Sequence, residues 1–168
     1  FSNPRQLREK EIAHVPEDRQ RMGLVTEFNA SENIIFGYHH KPPFSNSSIM
    51  MGSNIFNHSN AIMKEYDVRP ISPFLKTSNF SGGNQQKIIL SRELNKDPKV
   101  LLVGQPTRGV DIGAIEFIHQ RIIDMRNKGA AILLVSVELD EILSLSDRIV
   151  IMFDGSLVGE KINEKCYW

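Results

Sequence analysis

The sequence predicts an α/β fold: a sheet with helices packed on it, interrupted by a smaller, mostly helical subdomain. Three observations carry this expectation. From Lys99 onward, short apolar runs alternate with stretches of helical periodicity, the order expected of a sheet built by right-handed crossovers. Before that, His39 to Asn60 shifts in composition to Ser, Asn and Pro, as an insertion would. At 168 residues the chain suits one domain with a sizeable core, and it is too short for two large ones. The division expected is 1–37 as the N-terminal part of the core, 38–97 as the helical subdomain, and 98–168 as the C-terminal α/β core with a terminal hairpin.

Each element has a local cause. Ile12-Ala-His-Val15 is a short strand candidate, followed by the charged turn Pro16-Glu-Asp-Arg-Gln-Arg21. Asn29-Ala-Ser-Glu32 has the spacing of a capping box, and a short helix is expected through Asn33 to Phe36, stopped by Gly37. Lys41-Pro-Pro-Phe44 is a breaker. Ile55, Ile62, Met63 and Tyr66 predict a helix over about residues 55–66, ended by Arg69-Pro-Ile-Ser-Pro73. Val100–Val103 is wholly apolar, as a strand buried on both faces would be, and Ala131–Val135 reads the same way. Between them Ile115, Ile118, Ile122 and Met125 recur at helical spacing, with Lys128-Gly129 as the stop. This helix is expected to turn its charged side, with Arg121, to solvent. Glu138 to Leu145 predicts a short helix and Arg148–Phe153 a third strand. Asp154-Gly155 has hairpin-turn chemistry leading into Leu157–Glu160.

Composition narrows the function classes. Lys plus Arg equals Asp plus Glu, 20 each, so no basic surplus favours nucleic acid. No stretch approaches the roughly 20 apolar residues of a membrane span, and the start does not read as a signal peptide. The single cysteine, Cys166, allows no internal disulfide and has no nucleophile context, which fits a reducing compartment. His14, His39, His40, His58 and His119 are scattered without metal-ligand spacing, so no metal site is expected. The chain opens without an initiator methionine, as a piece of a longer protein would.

The most informative stretch is Phe80-Ser-Gly-Gly-Asn-Gln-Gln-Lys87. Two glycines permit close approach of backbone to a ligand, and the apolar-periodic run from Ile88 predicts a helix directly after them. Amides at such a helix start carry partial positive charge and suit a phosphate, while Ser81 adds a hydroxyl donor or cap. Taken alone, a Ser-Gly-Gly before a helix is equally a loop and its cap. The order of the next segments decides between them: Leu94-Asn-Lys-Asp-Pro-Lys99, the apolar run to Val103, then Gly104-Gln-Pro-Thr-Arg-Gly-Val-Asp111.

That order resembles the ATP-binding cassette family, with its signature helix, apolar strand, Pro-Thr turn and loop ending in Asp. Ala13–Arg19 and Leu134–Glu141 also fall where the family would place them, so the resemblance covers nearly the whole chain. More narrowly, Ser-Gly-Gly-Asn-Gln-Gln-Lys and Pro-Thr-Arg-Gly-Val-Asp look like the second cassette of tandem importers for simple sugars and nucleosides. The fold implied is part of a P-loop NTPase-like sheet plus the helical signature subdomain. The resemblance implies that Ser81, Gly82, Gly83 and Asn84 contact ATP held mainly by an opposing cassette. It places Asp111 at the cassette–cassette interface, and Glu17, Asp18 and Arg19 in the region that couples to membrane subunits. The implied partners are a second cassette in the same polypeptide, transmembrane permease subunits and an extracytoplasmic binding protein. The implied location is the cytoplasmic side of the membrane, as a peripheral protein. ATP and Mg²⁺ are the implied cofactors of the full-length protein, none being expected to bind this stretch tightly.

Three departures qualify this. No Gly-x-x-x-x-Gly-Lys-Ser/Thr occurs, so the cradle and lysine for β- and γ-phosphates are missing, as truncation before that loop would explain. Gly104 and Gln105 stand where the family has Asp-Glu. Glycine offers Mg²⁺ no side-chain oxygen, and glutamine cannot take a proton from water as a carboxylate can. Val137 stands where hydrolytic cassettes place a γ-phosphate histidine; Ser136 and Glu138 are the neighbouring polar groups that could replace it. The expectation is an asymmetric protein: a degenerate site of its own, and a signature that completes the partner's. By itself the chain should be inactive. Two alternatives remain open, a non-catalytic regulatory or structural cassette and a cassette protein outside transport.

Overall fold

The computed structural model describes residues 3–163, so Cys166 lies outside the described residues. Helix α1 (Pro4–Glu9) leads into β1 (Ile12–Val15), a π-helical turn at Arg19–Gly23 and helix α2 (Ala30–Ile34). The capping box forms: Asn29 accepts from the Glu32 amide at 2.9 Å, and Glu32 accepts from the Asn29 amide at 2.8 Å. The helix it starts lies earlier than expected, ending at Ile34, with turns rather than helix through Phe36. A two-residue hairpin follows, β2 (Ser45–Asn46) with β3 (Ile49–Met50), which the Ser/Asn-rich composition concealed. Helix α3 (Gly52–Glu65) begins three residues before its apolar spacing does.

Helix α4 (Gly82–Leu94) is the centre of the molecule. Gly83 and every residue from Gln85 to Leu94 are buried, because β1, α2, α3 and α5 surround it. Its position is set by polar contacts as well as packing. Asn33, fully buried, donates to Thr77 Oγ1 at 2.8 Å and to Val25 O at 2.9 Å, and accepts from the Val25 amide. Gln85 then donates to Thr77 O at 3.1 Å. Asn33, satisfied at both ends of its amide, costs little to bury, and with Gln85 it pins the start of α4 to α2.

Strand β4 (Val100–Gly104), helix α5 (Ile112–Asn127) and strand β5 (Ala131–Val135) complete the core. Gly129, at φ +93°, closes α5 in the left-handed conformation that a side chain resists. The sheet has the order β1-β4-β5, all parallel, with Ala13, Leu101 and Ile132 aligned, and Val15, Val103 and Leu134 two positions on. This face packs into the core. The other does not: Leu102, Leu133 and Val135 are 36%, 60% and 58% exposed. The apolar runs therefore do not mark strands buried on both faces within this chain, since no described element covers the second face.

Helix α6 (Leu139–Leu145) follows, then β6 (Arg148–Phe153) and β7 (Ser156–Ile162). The expected third strand and terminal hairpin both form, β6 pairing antiparallel with β7, and β6 is not part of the three-stranded parallel sheet. Asp154 and Gly155, at φ +45° and +73°, supply the turn whose twist favours that local pairing. No helix among the described residues is long and apolar enough to cross a membrane.

Candidate functional site

Parallel strands end at the same edge, so the segments after β1, β4 and β5 converge there. Those segments are Pro16–Arg21, Gly104–Asp111 and Ser136–Glu138. Together with α5 and α6 they line a pocket of about 600 Å³ that includes Glu17, Gln105, Thr107, Val137, Glu138 and Glu141. The residues expected to be degenerate thus lie together in space.

Their geometry limits what they can do. Gln105 has a left-handed backbone, φ +47°, held by donation of its amide to Val135 O at 2.8 Å. Its side-chain oxygen faces the Val137 amide at 3.4 Å, so its polar end points along the loop. Gly104 leaves little room for a replacement: a Cβ there would stand 3.2 Å from the Glu17 backbone nitrogen, which would have to give by a few tenths of an ångström. An aspartate at 104 would require the Glu17 segment to move. Val137 is 80% exposed and offers no polar side-chain atom to the pocket. No group of three or more metal-ligating side chains occurs among the described residues. The residues at 104 and 105 do not fit a Mg²⁺ site.

The start of α4 is differently made. Ser81 is its N-cap, in extended backbone, and its hydroxyl oxygen receives the Asn84 side-chain amide at 2.9 Å. The Asn84 amide approaches the same oxygen at 3.4 Å, while Asn84 Oδ1 accepts from the Arg69 amide at 2.7 Å. Ser81 itself is exposed. The first amides of α4, at Gly82 and Gly83, are not engaged by the helix, as at any helix start. Both glycines are required by close approach. A Cβ on Gly82 would stand 2.6 Å from Arg19 Nη2, and one on Gly83 would stand 2.9 Å from Asp111 Oδ2. Asp111 is the N-cap of α5, accepting from the Ala114 amide at 3.0 Å. The signature residues, Asp111 and Arg19 are therefore in one cluster, although they are far apart in sequence.

Glu17 and Arg108 make an ion pair at 2.5 Å with both side chains more than half exposed, so the pair orients the loops and adds little stability. Sequence reasoning did not single out Glu141. It is 4% exposed, and its Oε1 accepts from Thr107 Oγ1 at 2.9 Å and lies 3.0 Å from His119 Nε2. His119 is thus tied to the loop after β4 and is not a bare helix-face histidine. Arg121 departs from expectation as well. It lies over the rings of Tyr66 and Phe117 at 4.8 and 5.0 Å and donates to Glu65 O, instead of facing solvent. The only signal for the Glu141 contacts was that Thr107, His119 and Glu141 fall in or beside the family's motifs.

Burial pushes the Glu141 carboxyl up, but hydrogen bonds from His119, Ser136 and Thr107 outweigh it and hold the group below its ordinary range. A carboxylate with a depressed folded value stabilises the fold above its unfolded value, and that stabilisation is lost as pH falls through the folded value. Glu141→Gln should therefore flatten the loss of stability below about pH 4.3, the ordinary glutamate value. Urea unfolding of both proteins across that range checks this; parallel curves would contradict it.

No protein-family model matches the chain. The chain is 47% identical over 156 residues to the nucleoside import ATP-binding protein NupA of Lactococcus lactis subsp. cremoris, covering 93% of this chain and 31% of that protein. It is 36% identical over 165 residues to the glucose import ATP-binding protein TsgD13 of Haloferax volcanii, covering 97% and 30%. The chain thus spans about a third of the length of these curated relatives. Among solved structures, the ATP-binding cassette MJ0796 in its dimeric post-hydrolysis state bound to ADP and Pi superposes with a TM-score of 0.76. That match covers 98% of this chain and 68% of the other at 21% identity, which is a likeness of fold. With the strand order, the Ser-Gly-Gly helix start and these relatives in agreement, the chain belongs to the ATP-binding cassette family.

Proposed function

We propose that this chain is part of the ATP-binding subunit of an importer, and that it presents its signature to a nucleotide held by a partner cassette. In this reading residues 38–97 form the signature subdomain between core segments 1–37 and 98–168. Ser81, Gly82, Gly83 and Asn84 face the partner's ATP, and Asp111 lies at the cassette interface. Glu17, Asp18 and Arg19 form the region that responds to permease subunits at the cytoplasmic side of the membrane.

One observation carries the reading: the two ends of the site are unequally built. At the start of α4 an exposed hydroxyl stands beside two closely packed glycines whose amides have no partner within the helix. At 104 and 105 no carboxylate is present, and a side chain at 104 would press on the Glu17 backbone. ATP is the substrate in this scheme, with Mg²⁺ held by the partner. What this chain adds is positive helix-terminal potential and hydroxyl and amide donors toward the γ-phosphate. The Asp111 carboxylate beside Gly83 opposes an anion there, and the Arg19 guanidinium beside Gly82 offsets it.

The higher identity to a nucleoside import protein than to a glucose one supports nucleosides as the cargo class. Uptake of labelled nucleosides and of simple sugars by the reconstituted transporter tests that choice; sugar uptake alone would reverse it. A second reading, a regulatory or structural cassette, is favoured by Gln105 being turned onto the Val137 amide. Titrating ATP into the complete cassette with its partner separates the two. ATP should tighten their association, on the order of tenfold or more. An association indifferent to ATP would leave the structural reading standing.

A further inference from the structure

Arg19 belongs to the turn after β1, yet its guanidinium lies against two other segments. Its Nη1 donates to Arg108 O at 2.6 Å and its Nη2 to Gly109 O at 3.2 Å. The same Nη2 fills the space over Gly82, where a Cβ would stand 2.6 Å away, and the Gly109 carbonyl would meet that Cβ at 2.9 Å. Two residues earlier, Glu17 holds the Arg108 side chain. The Glu17–Arg19 segment therefore holds Arg108 at both its side chain and its carbonyl. Asp18 between them fixes the local backbone by accepting from the Gln20 and Arg21 amides at 3.1 and 3.0 Å.

We propose that Arg19 is a positioning residue, a latch that makes the signature start at Gly82 and the Arg108–Asp111 turn move as one unit. The inference rests on the reading that α4 faces a partner's nucleotide. The Gly109 carbonyl keeps 82 a glycine, and a side chain there would also displace the guanidinium. Only a planar fork can bridge two successive carbonyls while lying flat on a glycine. An ammonium offers a compact point charge instead, so lysine is not a substitute. Because Arg19 sits between Asp18 and the signature, any displacement of the turn after β1 is delivered to both segments together.

The test is Arg19→Lys, which keeps the charge and stem, made in the full-length transporter and measured two ways. Steady-state ATPase kinetics should show kcat lowered by about tenfold or more, with KM for ATP within about threefold. Amide hydrogen exchange should show Gly82–Asn84 and Arg108–Val110 losing protection together, while the middle of α5 is unchanged. Arg19→Ala should give the same paired pattern. Parent-like kcat in Arg19→Lys, or loss of protection at one segment only, would overturn the latch. A parent transporter without ATP turnover would sink the proposed function, and exchange would still decide the latch.

Discussion

Ser81→Arg should abolish ATP turnover by the assembled transporter, lowering it by at least about a hundredfold, while Gln105→Glu leaves it near the parent rate. The first half rests on the setting of Ser81. Its hydroxyl is exposed at the first turn of α4, beside amides that no other helical residue engages. Removing one well-placed donor to a developing oxyanion costs roughly 10²–10³ in rate. An arginine adds bulk across the open approach to Gly82 and Gly83. Loss of the cap itself costs about 1 kcal/mol of helix stability, too little to unfold a protein with a central buried helix. The second half rests on Gln105, whose side chain is turned toward the Val137 amide and whose neighbour Gly104 has no ligand for a metal. A carboxylate at 105 alone would have no metal-binding partner at 104 to work with. Turnover that survives Ser81→Arg would remove the proposed role in the partner's site. A large gain from Gln105→Glu would mean that this chain's own site is closer to competence than its geometry implies.

Leu101→Ala should destabilise this chain by about 2–5 kcal/mol, and Leu133→Ala by no more than about 0.5 kcal/mol. Both are leucines in apolar runs of the same parallel sheet, and sequence patterning treats them alike. Leu101 is fully buried on the sheet face turned to the core, so alanine leaves a cavity in the hydrophobic cluster. Leu133 is 60% exposed on the other face, so truncation removes little contact. Against a typical total of about 5–15 kcal/mol, the first loss is large enough to bring the chain near its unfolding threshold. Urea titration of both variants measures it. Equal losses would show that the second face is covered by residues of this chain.

Features whose cause is local were legible in the sequence. The Asn29–Glu32 capping box, Ser81 as the cap of α4, the Lys128-Gly129 stop and the Asp154-Gly155 turn each depend on residues within one or two turns of one another. Spacing alone therefore determines them. The family was legible for a related reason: its motifs are short, and their order along the chain is itself the signal. The candidate residues Ser81 to Asn84, Gly104, Gln105, Asp111, Val137 and Glu17 to Arg19 could be named from that order, and their roles remain those of the proposal.

Only the tertiary structure decided the contacts between segments distant in sequence. An apolar run reports that a strand can be buried, not how many of its faces have a neighbour, and so β4 and β5 were expected to be covered on both sides. The hairpin of Arg148–Phe153 with β7 was legible from its turn, but that β6 stands apart from the parallel sheet was not, because an apolar run does not say which sheet a strand joins. Glu141 with Thr107 and His119, Asn33 with Thr77, and Arg19 with Arg108 and Gly109 are each polar groups hydrogen-bonded across tens of residues. No periodicity records such pairs, because a hydrogen bond depends on where the fold brings two groups and not on their spacing in the chain. The two glycines after Ser81 show both levels at once. The sequence determined that a backbone there could come close to something, and the tertiary structure decided that Arg19 and Asp111 are what it meets.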